Sequence, residues 1–217
     1  MIELIEKEKT QEETSVLVEY FKNQLRSITD KYPYDHLEHG INQGGYHYVR
    51  NDYIAIEAEF GERLANEIAA SKPDEIVEIG TGHGYSAMWI MLGMMMAGKG
   101  RLTTFDRNKL NWHFYGIPGN VKICTMDFTT VVDELPEKID FVFHDGSHEF
   151  DQVKDDLEIL IPRMTQKGKI WFHDALDDLS IPLKKYFFNK RWRYVWLKEA
   201  SHFGFAARFD EKWSTLF

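Results

Sequence analysis

The sequence predicts an α/β fold with a doubly wound, mostly parallel sheet, and three observations support this prediction. Short apolar runs alternate with segments of helical periodicity from about residue 52 onward. A glycine-rich turn at residues 80–84 stands where the first of these runs passes into a helical segment. Acidic residues end several of the later runs. In sheets of this kind ligands bind at the carboxyl ends of the strands, so the functional site is expected there.

Residues 1–50 are predicted to form a helical N-terminal arm, and residues 51–217 the ligand-binding domain. Apolar side chains recur at helical spacing between Leu17 and Ile28, which predicts a helix over about 13–29. Pro33 stops regular structure, and the glycine-rich residues 39–45 are predicted to be a loop. An arm of this kind often packs on a partner subunit, so a homo-oligomer is a natural expectation.

The later elements follow from periodicity and from turn residues. Ser180 and Pro182 suit a helix start, which places the last helix at 181–189. The predicted order is helix 54–70, strand 75–79, helix 85–97, strand 101–105, a helix near 108–115, strand 121–124, strand 139–143, helix 151–160, strand 169–172, helix 181–189 and strands 193–197 and 203–209.

Composition narrows the classes of partner and compartment. The 217 residues carry 26 Lys+Arg against 35 Asp+Glu, a formal charge of −9, which argues against nucleic acid or an anionic membrane as the main partner. The single cysteine, Cys124, cannot form an intramolecular disulfide. The longest apolar stretch, within residues 87–98, is shorter than the roughly 20 residues needed to span a bilayer. We therefore expect a soluble, cytoplasmic protein.

The glycine turn reads Glu78-x-Gly80-x-Gly82-x-Gly84. Glycines at a strand-to-helix turn let the backbone approach a ligand closely. A dinucleotide fingerprint would require glycine at position 85, where this chain has Tyr85, so a nicotinamide cofactor is disfavoured. The carboxylate of Glu78, two residues before the first glycine, is suited to holding a cationic group near the turn.

A second acidic residue, Asp106, ends the run Leu102-Thr103-Thr104-Phe105-Asp106, 26 residues after Gly80. An acid at the end of the second strand can accept hydrogen bonds from both hydroxyls of a ribose. Together with the glycine turn, this spacing favours a nucleoside-containing ligand over a helix cap.

With these two motifs the chain resembles the class I S-adenosylmethionine-dependent methyltransferases from about residue 55 to the end. The resemblance implies a Rossmann-like, seven-stranded sheet with an antiparallel last strand, and S-adenosylmethionine as cofactor. It places Glu78 near the methionine end, Asp106 on the ribose, and Asp127 and Phe128 beside the adenine. The full set of cofactor-binding residues that it implies is Glu78, Gly80, Thr81, Gly82, Gly84, Ser86, Asp106, Arg107, Asp127, Phe128 and Asp145.

Two further strand ends carry histidine and aspartate side by side. One reads His144-Asp145-Gly146-Ser147-His148 and the other His173-Asp174. If these strands are parallel neighbours, Asp145 and Asp174 share one crevice, and two close carboxylates repel unless a proton or cation lies between them. A divalent metal with oxygen ligands is the natural solution.

This pattern resembles the metal-dependent sugar and macrolide O-methyltransferases and their cephalosporin hydroxylase-like relatives. The resemblance implies Asp145, His173 and Asp174 as metal ligands and His148 as the general base. Two positions depart from the known patterns. His173 stands where the macrolide enzymes carry an acid, and Ala175 where the catechol type carries an amide. An imidazole ligand suits manganese, iron, nickel or zinc better than magnesium.

The implied function is methyl transfer from S-adenosylmethionine to a hydroxyl of a small molecule, a sugar or another natural product, assisted by magnesium or manganese. Two alternatives stay open. One is a non-catalytic protein that binds the cofactor and acts in assembly, which the departures at His173 and Ala175 keep in view. The other is a nicotinamide-dependent oxidoreductase, which Tyr85 disfavours.

Overall fold

The computed structural model describes residues 11–31, 40–41, 47–48, 56–107, 120–125, 130, 132–197 and 203–208. Within these residues, the helices are α1 (Gln11–Lys31), α2 (Ala58–Ser71), α3 (Tyr85–Ala97), α4 (Phe150–Leu160) and α5 (Asp177–Asn189). The strands are β1 (Gly40–Ile41), β2 (His47–Tyr48), β3 (Glu75–Ile79), β4 (Arg101–Asp106), β5 (Val121–Thr125), β6 (Ile139–His144), β7 (Met164–Phe172), β8 (Trp192–Leu197) and β9 (Phe203–Arg208). Two 3₁₀ turns cover Val132–Glu134 and Ile161–Arg163.

Seven strands form one sheet in the order β5-β4-β3-β6-β7-β9-β8. The pairs from β5 to β7 are parallel, and β9 runs antiparallel to both β7 and β8. This arrangement confirms the predicted Rossmann-like, mostly parallel sheet. The strand order reverses at β3, which pairs with β4 on one side and with β6 on the other. Ligands of such sheets bind beside the carboxyl ends of the strands at this switch point.

The central strands read as continuous apolar runs because both faces of a parallel sheet are covered. In β6 the four residues from Phe141 to His144 are all buried. Val77, Val142 and Ile170 are fully buried and belong to the same apolar cluster as Leu157 of α4 and Leu183 of α5. This packing fixes the ends of β3, β6 and β7, which carry the candidate site.

The chain divides into two compact units. One contains the sheet together with α4 and α5, and the other contains α1, α2 and α3. In the helical unit Gly61 lets the ring of Trp89 approach, since a Cβ atom there would lie 2.3 Å from the ring. The hydroxyl of Tyr85 donates to the carbonyl oxygen of Leu25 on α1 at 3.0 Å. The predicted boundary of an N-terminal arm at residue 50 stays a prediction.

Glycines stand at both ends of α3, and the predicted range 85–97 is confirmed. Gly84 before the helix has φ 84°, and Gly98 after it has φ 72°. The backbone N–H of Gly98 donates to the carbonyl oxygens of Met94 and Met95, which closes the last turn. Left-handed backbone of this kind is accessible to glycine at little cost.

Four predicted elements differ from the structure, and the first is helix α2, which begins at Ala58 rather than at residue 54. Helix α5 begins at Asp177 rather than at residue 181, so Pro182 lies inside it. The first turn forms because the N–H groups of Leu179 and Ser180 donate to the carbonyl oxygen of Leu176. Strand β7 begins at Met164, five residues before the predicted start, because Met164 pairs with Ile139 of β6. Within the predicted loop 39–45, Gly40–Ile41 pairs with His47–Tyr48.

The predicted helix near 108–115 lies outside the described residues. Among the helices that are described, none combines the length and the apolar character needed to cross a bilayer.

Candidate active site

The glycine turn begins at Gly80, directly after β3. Gly80 has φ +91°, and its N–H donates to the carbonyl oxygen of Phe105 at 2.8 Å. The N–H of Thr81 donates to the same oxygen at 3.2 Å. A Cβ atom on Gly80 would lie 2.1 Å from the carbonyl oxygen of Asp145. The turn therefore fits between the ends of β4 and β6 only because position 80 has no side chain.

The helical unit contains the next predicted residues, Gly82, Gly84 and Ser86. Gly82 has φ +51° and Gly84 φ +84°, so both take left-handed backbone. Ser86, in the first turn of α3, is fully buried. The conformations of the three glycines explain why glycine recurs at every second position of this motif.

Glu78 is fully buried, as are Thr81 and Thr104. Thr104 lies opposite Glu78 on β4, and its hydroxyl donates to Glu78 Oε2 at 2.5 Å. The hydroxyl of Thr81 is hydrogen-bonded to that of Thr104. The carboxylate that the sequence suggested for a ligand's cationic group is thus bonded within the protein.

Asp106, the predicted ribose-binding residue, is the last residue of β4 and is half-buried. It follows Phe105, which pairs with Ile79, so Asp106 stands at the same sheet edge as Gly80. Arg107 follows and is exposed. The predicted adenine-bordering residues, Asp127 and Phe128, lie outside the described part of the chain.

The second group of predicted residues converges at the ends of β6 and β7, which are parallel neighbours as expected. One ligand atom from each of Asp145, His148 and Asp174 lies within 4.8 Å of the other two. His148 Nε2 is 4.0 Å from Asp174 Oδ2. The His148 side chain is 48% exposed, whereas that of Asp145 is 7% exposed. The group therefore has a buried end and an open end.

His173, the third metal ligand that the resemblance implies, lies against both carboxylates. Its side chain is 1% exposed, and its Nδ1 lies 3.2 Å from Asp145 Oδ1 and 3.4 Å from Asp174 Oδ2. Ligand atoms of Asp145, Asp174 and His148 can converge on one ion, and the ring of His173 contacts both carboxylates. Ala175 is fully buried and offers no ligand atom.

The buried position of Asp145 shapes its electrostatics. Burial raises the pKa of this carboxyl above its usual range, because the charged form loses water. The charge of His173 and the hydrogen bond from its ring lower the pKa, the charge of Asp174 raises it, and His148 lowers it. Positive charge close to Asp145 therefore favours its ionised form.

A second histidine–aspartate pair begins at the last residue of β6, directly before Asp145. His144 and Asp156 have side chains that are 2% and 5% exposed, with His144 Nε2 3.0 Å from Asp156 Oδ2. The pair joins the end of β6 to α4, which begins at Phe150, two residues after His148. It holds the helix beside the strand end that carries the candidate ligands.

Sequence reasoning missed Thr104 and Asp156. Thr104 is a polar residue within a buried strand, a signal that only becomes specific once the register pairs it with Glu78. Asp156 lies on the buried face of α4 between Val153 and Leu157, where a charged residue needs a partner.

Part of the chain is similar to a known family. Residues 77–175 match the family model described as a methyltransferase domain. No curated protein sequence matches the chain. Among solved structures, the SAH-bound methyltransferase PaMTH1 of Podospora anserina is 15% identical, with a TM-score of 0.60 over 94% of this chain and 99% of that one.

Two more solved structures share this fold. A putative caffeoyl-CoA O-methyltransferase of Staphylococcus aureus is 14% identical, with a TM-score of 0.60 over 92% of this chain and 100% of that one. The O-methyltransferase TomG of Streptomyces achromogenes, involved in tomaymycin synthesis, is 14% identical, with a TM-score of 0.56 over 94% of this chain and 100% of its own.

Proposed function

We propose that this chain, which matches the family model of a methyltransferase domain over residues 77–175, transfers a methyl group from S-adenosylmethionine to a hydroxyl of a small molecule with the help of a divalent metal. One observation carries the proposal. Ligand atoms of Asp145, His148 and Asp174 converge at the sheet edge where the glycine turn begins. A sugar or another polyhydroxylated natural product is the substrate class that the family resemblance favours.

The cofactor part of the proposal is supported by the switch point of the sheet. The turn at Gly80 and the acid Asp106 stand side by side at the ends of β3 and β4. Asp106 would accept hydrogen bonds from the ribose, and the bare backbone of Gly80 would allow close approach. When bound, S-adenosylmethionine supplies an electrophilic methyl group. The solved PaMTH1 and TomG structures contain SAH and SAM, respectively.

The metal part of the proposal is supported by the donor set. The carboxylates of Asp145 and Asp174 offer oxygen ligands, which suit magnesium and manganese, and a ring nitrogen of His148 lies within 4.8 Å of both. Asp145 and Asp174 would hold the ion, and their mutual repulsion would fall when it binds. A bound divalent ion would lower the pKa of a coordinated substrate hydroxyl.

His148 is the residue that we assign to proton transfer. Its ring is the most exposed of the three groups, so a substrate can reach it. A neutral imidazole within hydrogen-bond reach of a hydroxyl is an effective general base near neutral pH. His173, which is 1% exposed, cannot meet a substrate, and orients the two carboxylates instead.

Calorimetric titration with S-adenosylhomocysteine and, separately, with NAD tests the cofactor. We expect micromolar binding of S-adenosylhomocysteine alone, and loss of that binding in Asp106→Ala. Binding of NAD instead would favour the oxidoreductase. If neither nucleotide binds, the methyltransferase proposal is wrong.

The metal and the base are tested separately from the cofactor. Manganese titrated into the protein should bind in the wild type and in Asp155→Asn, an exposed acid on α4, but not in Asp174→Asn. His148→Ala should keep the affinity for S-adenosylhomocysteine while methyl transfer to model catechols and sugars falls by about 100-fold or more, the range of general base catalysis. Cofactor binding without transfer in the wild type, whatever the acceptor, would favour the assembly protein.

A further inference from the structure

The carboxylate of Glu78 is poorly placed to contact a ligand directly, because its side chain is fully buried. A buried carboxylate must be compensated by hydrogen bonds or positive charge. Thr104 supplies such a hydrogen bond, donating its hydroxyl to Glu78 Oε2 at 2.5 Å. The acid is therefore engaged inside the sheet unit rather than offered at its edge.

The hydrogen bonds between the three side chains run in one direction. Thr104 has a single O–H group and gives it to Glu78. The bond between the two threonine hydroxyls therefore requires Thr81 to donate and Thr104 to accept. A chain of donors that ends on a carboxylate is polarised by it, and each bond strengthens the next.

This series of hydrogen bonds begins at a residue of the glycine turn. Thr81 lies between Gly80 and Gly82, and its backbone N–H donates to Phe105 of β4, the residue after Thr104. Thr81 is thus fixed to β4 twice, through its backbone and through its side chain. Removal of the hydroxyl of Thr104 would break the side-chain connection and leave Glu78 without this donor.

We propose that Glu78 is a positioning residue which acts on the cofactor through Thr104 and Thr81, by fixing the glycine turn, and not by direct contact with the cofactor's ammonium group. The inference rests on the proposed function, since the ligand of the turn is S-adenosylmethionine. It assigns a role to Thr104 and Thr81 that follows from their hydrogen bonds alone. Direct contact and positioning make opposite predictions for Thr104→Val, which keeps the carboxylate but removes its donor.

The test compares two probes, S-adenosylhomocysteine and 5′-methylthioadenosine, which lacks the amino-acid part. Thr104→Val should weaken binding of S-adenosylhomocysteine by about tenfold or more, equivalent to about 1.4 kcal/mol. Binding of 5′-methylthioadenosine should change by less than about threefold, since the ribose acid Asp106 is untouched. Thr104→Ser, which keeps the hydroxyl, should restore the affinity for S-adenosylhomocysteine.

Thr103→Val is the matched control. Thr103 is the preceding residue of β4, is 7% exposed, and lies on the opposite face of the strand because successive side chains alternate. This variant should bind both probes as the wild type does. If Thr104→Val does not fold, Thr81→Val tests the same series of hydrogen bonds from its other end. It should give the same tenfold loss of affinity for S-adenosylhomocysteine.

Each result separates the two proposals. If wild-type protein binds neither probe, the proposed function fails and this inference falls with it. If wild-type protein binds S-adenosylhomocysteine and Thr104→Val binds it equally well, direct contact is favoured and the inference alone is overturned. Equal weakening for both probes, or a loss that Thr104→Ser does not restore, would show a general packing effect and would also overturn it.

Discussion

A Cβ atom on Gly80 would lie 2.1 Å from the carbonyl oxygen of Asp145. Gly80 begins the glycine turn, and Asp145 is the first residue of the group formed by Asp145, His148 and Asp174. These two parts of the candidate site are therefore in contact through their backbones. The N–H of Asp145 also donates to the carbonyl oxygen of Ile79 at 2.8 Å. A displacement of the turn would therefore move the carboxylate as well.

Gly80→Ala should disturb both halves together. The clash with Asp145 and the positive φ angle add up, so we expect a loss of about 2–4 kcal/mol in the free energy of unfolding, with loss of S-adenosylhomocysteine binding. Gly82→Ala is the comparison: its φ is also positive, but among the described residues no atom lies within 4 Å of the added Cβ. It should cost about 1–2 kcal/mol by urea denaturation. Equal losses would contradict the close approach at Gly80.

Asp156→Ala should lower the free energy of unfolding by about 3–5 kcal/mol, because it leaves His144 buried without its charged partner. Replacement of both residues, as His144→Phe with Asp156→Leu, should cost less than the single change, since no buried polar group is then left. Asp155→Ala, an exposed neighbour on α4, should stay within about 0.5 kcal/mol of the wild type in the same denaturation experiment. A double variant less stable than Asp156→Ala would count against this pairing.

Glu62 links α2 to Lys22 and Arg26 of α1. Burial tends to raise the pKa of its carboxyl, but hydrogen bonds and charges from Lys22 and Arg26 outweigh this and hold the pKa below its usual value of 4.5. A lowered folded-state pKa adds stability above the unfolded value, and this stability is lost as the pH falls through the folded value.

We therefore expect Glu62→Gln to be less stable than the wild type at pH 7, by about 0.2–1 kcal/mol for a partly exposed pair, and to lose less stability between pH 5 and pH 3. Thermal melting along a pH series measures both effects. Glu19→Gln, an exposed position on α1, should follow the wild-type curve. Parallel curves for Glu62→Gln and the wild type would show that the ion pairs add nothing.

Cys124 should react slowly with thiol reagents in the native protein. It is 7% exposed, and burial raises the pKa of its thiol, so little thiolate is available at pH 8. Labelling with a chromogenic disulfide should be at least about 100-fold slower than in urea, where the same residue is free to react. Rapid native labelling would mean that β5 opens readily.

Sequence patterns predicted most of the sheet because its strands are mostly short apolar runs or are followed by residues typical of turns. Strand β3 is a short apolar run that ends at a glycine, and its predicted range 75–79 is confirmed. The beginning of β7 escaped prediction because Lys167 and Gly168 are residue types depleted in strands, and they lie in the irregular stretch between the pairs Ile139–Met164 and Phe141–Lys169. Likewise Pro182 suggests a helix start, yet α5 begins one turn earlier.

For the site, the sequence indicates which strand ends carry acids, but not how their side chains turn. That Asp145 and Asp174 meet follows from parallel topology. The positions of the His148 and His173 side chains do not follow from it, because they depend on the backbone of the residues that follow each strand. Similarly, Thr104 becomes meaningful only through a register that pairs it with Glu78. The sequence thus indicates which residue types lie at the strand ends, whereas the direction of their side chains is known only from the structure.

Asp174 has φ +49°, a left-handed conformation in which a side chain is strained. For most residues this costs about 1–2 kcal/mol, for aspartate somewhat less, and for glycine almost nothing. Asp174→Gly should therefore have a higher free energy of unfolding than the wild type, although it removes the acid from the candidate site. Under the proposed function, the residue that suits this backbone best and the residue that the metal site needs are different at position 174.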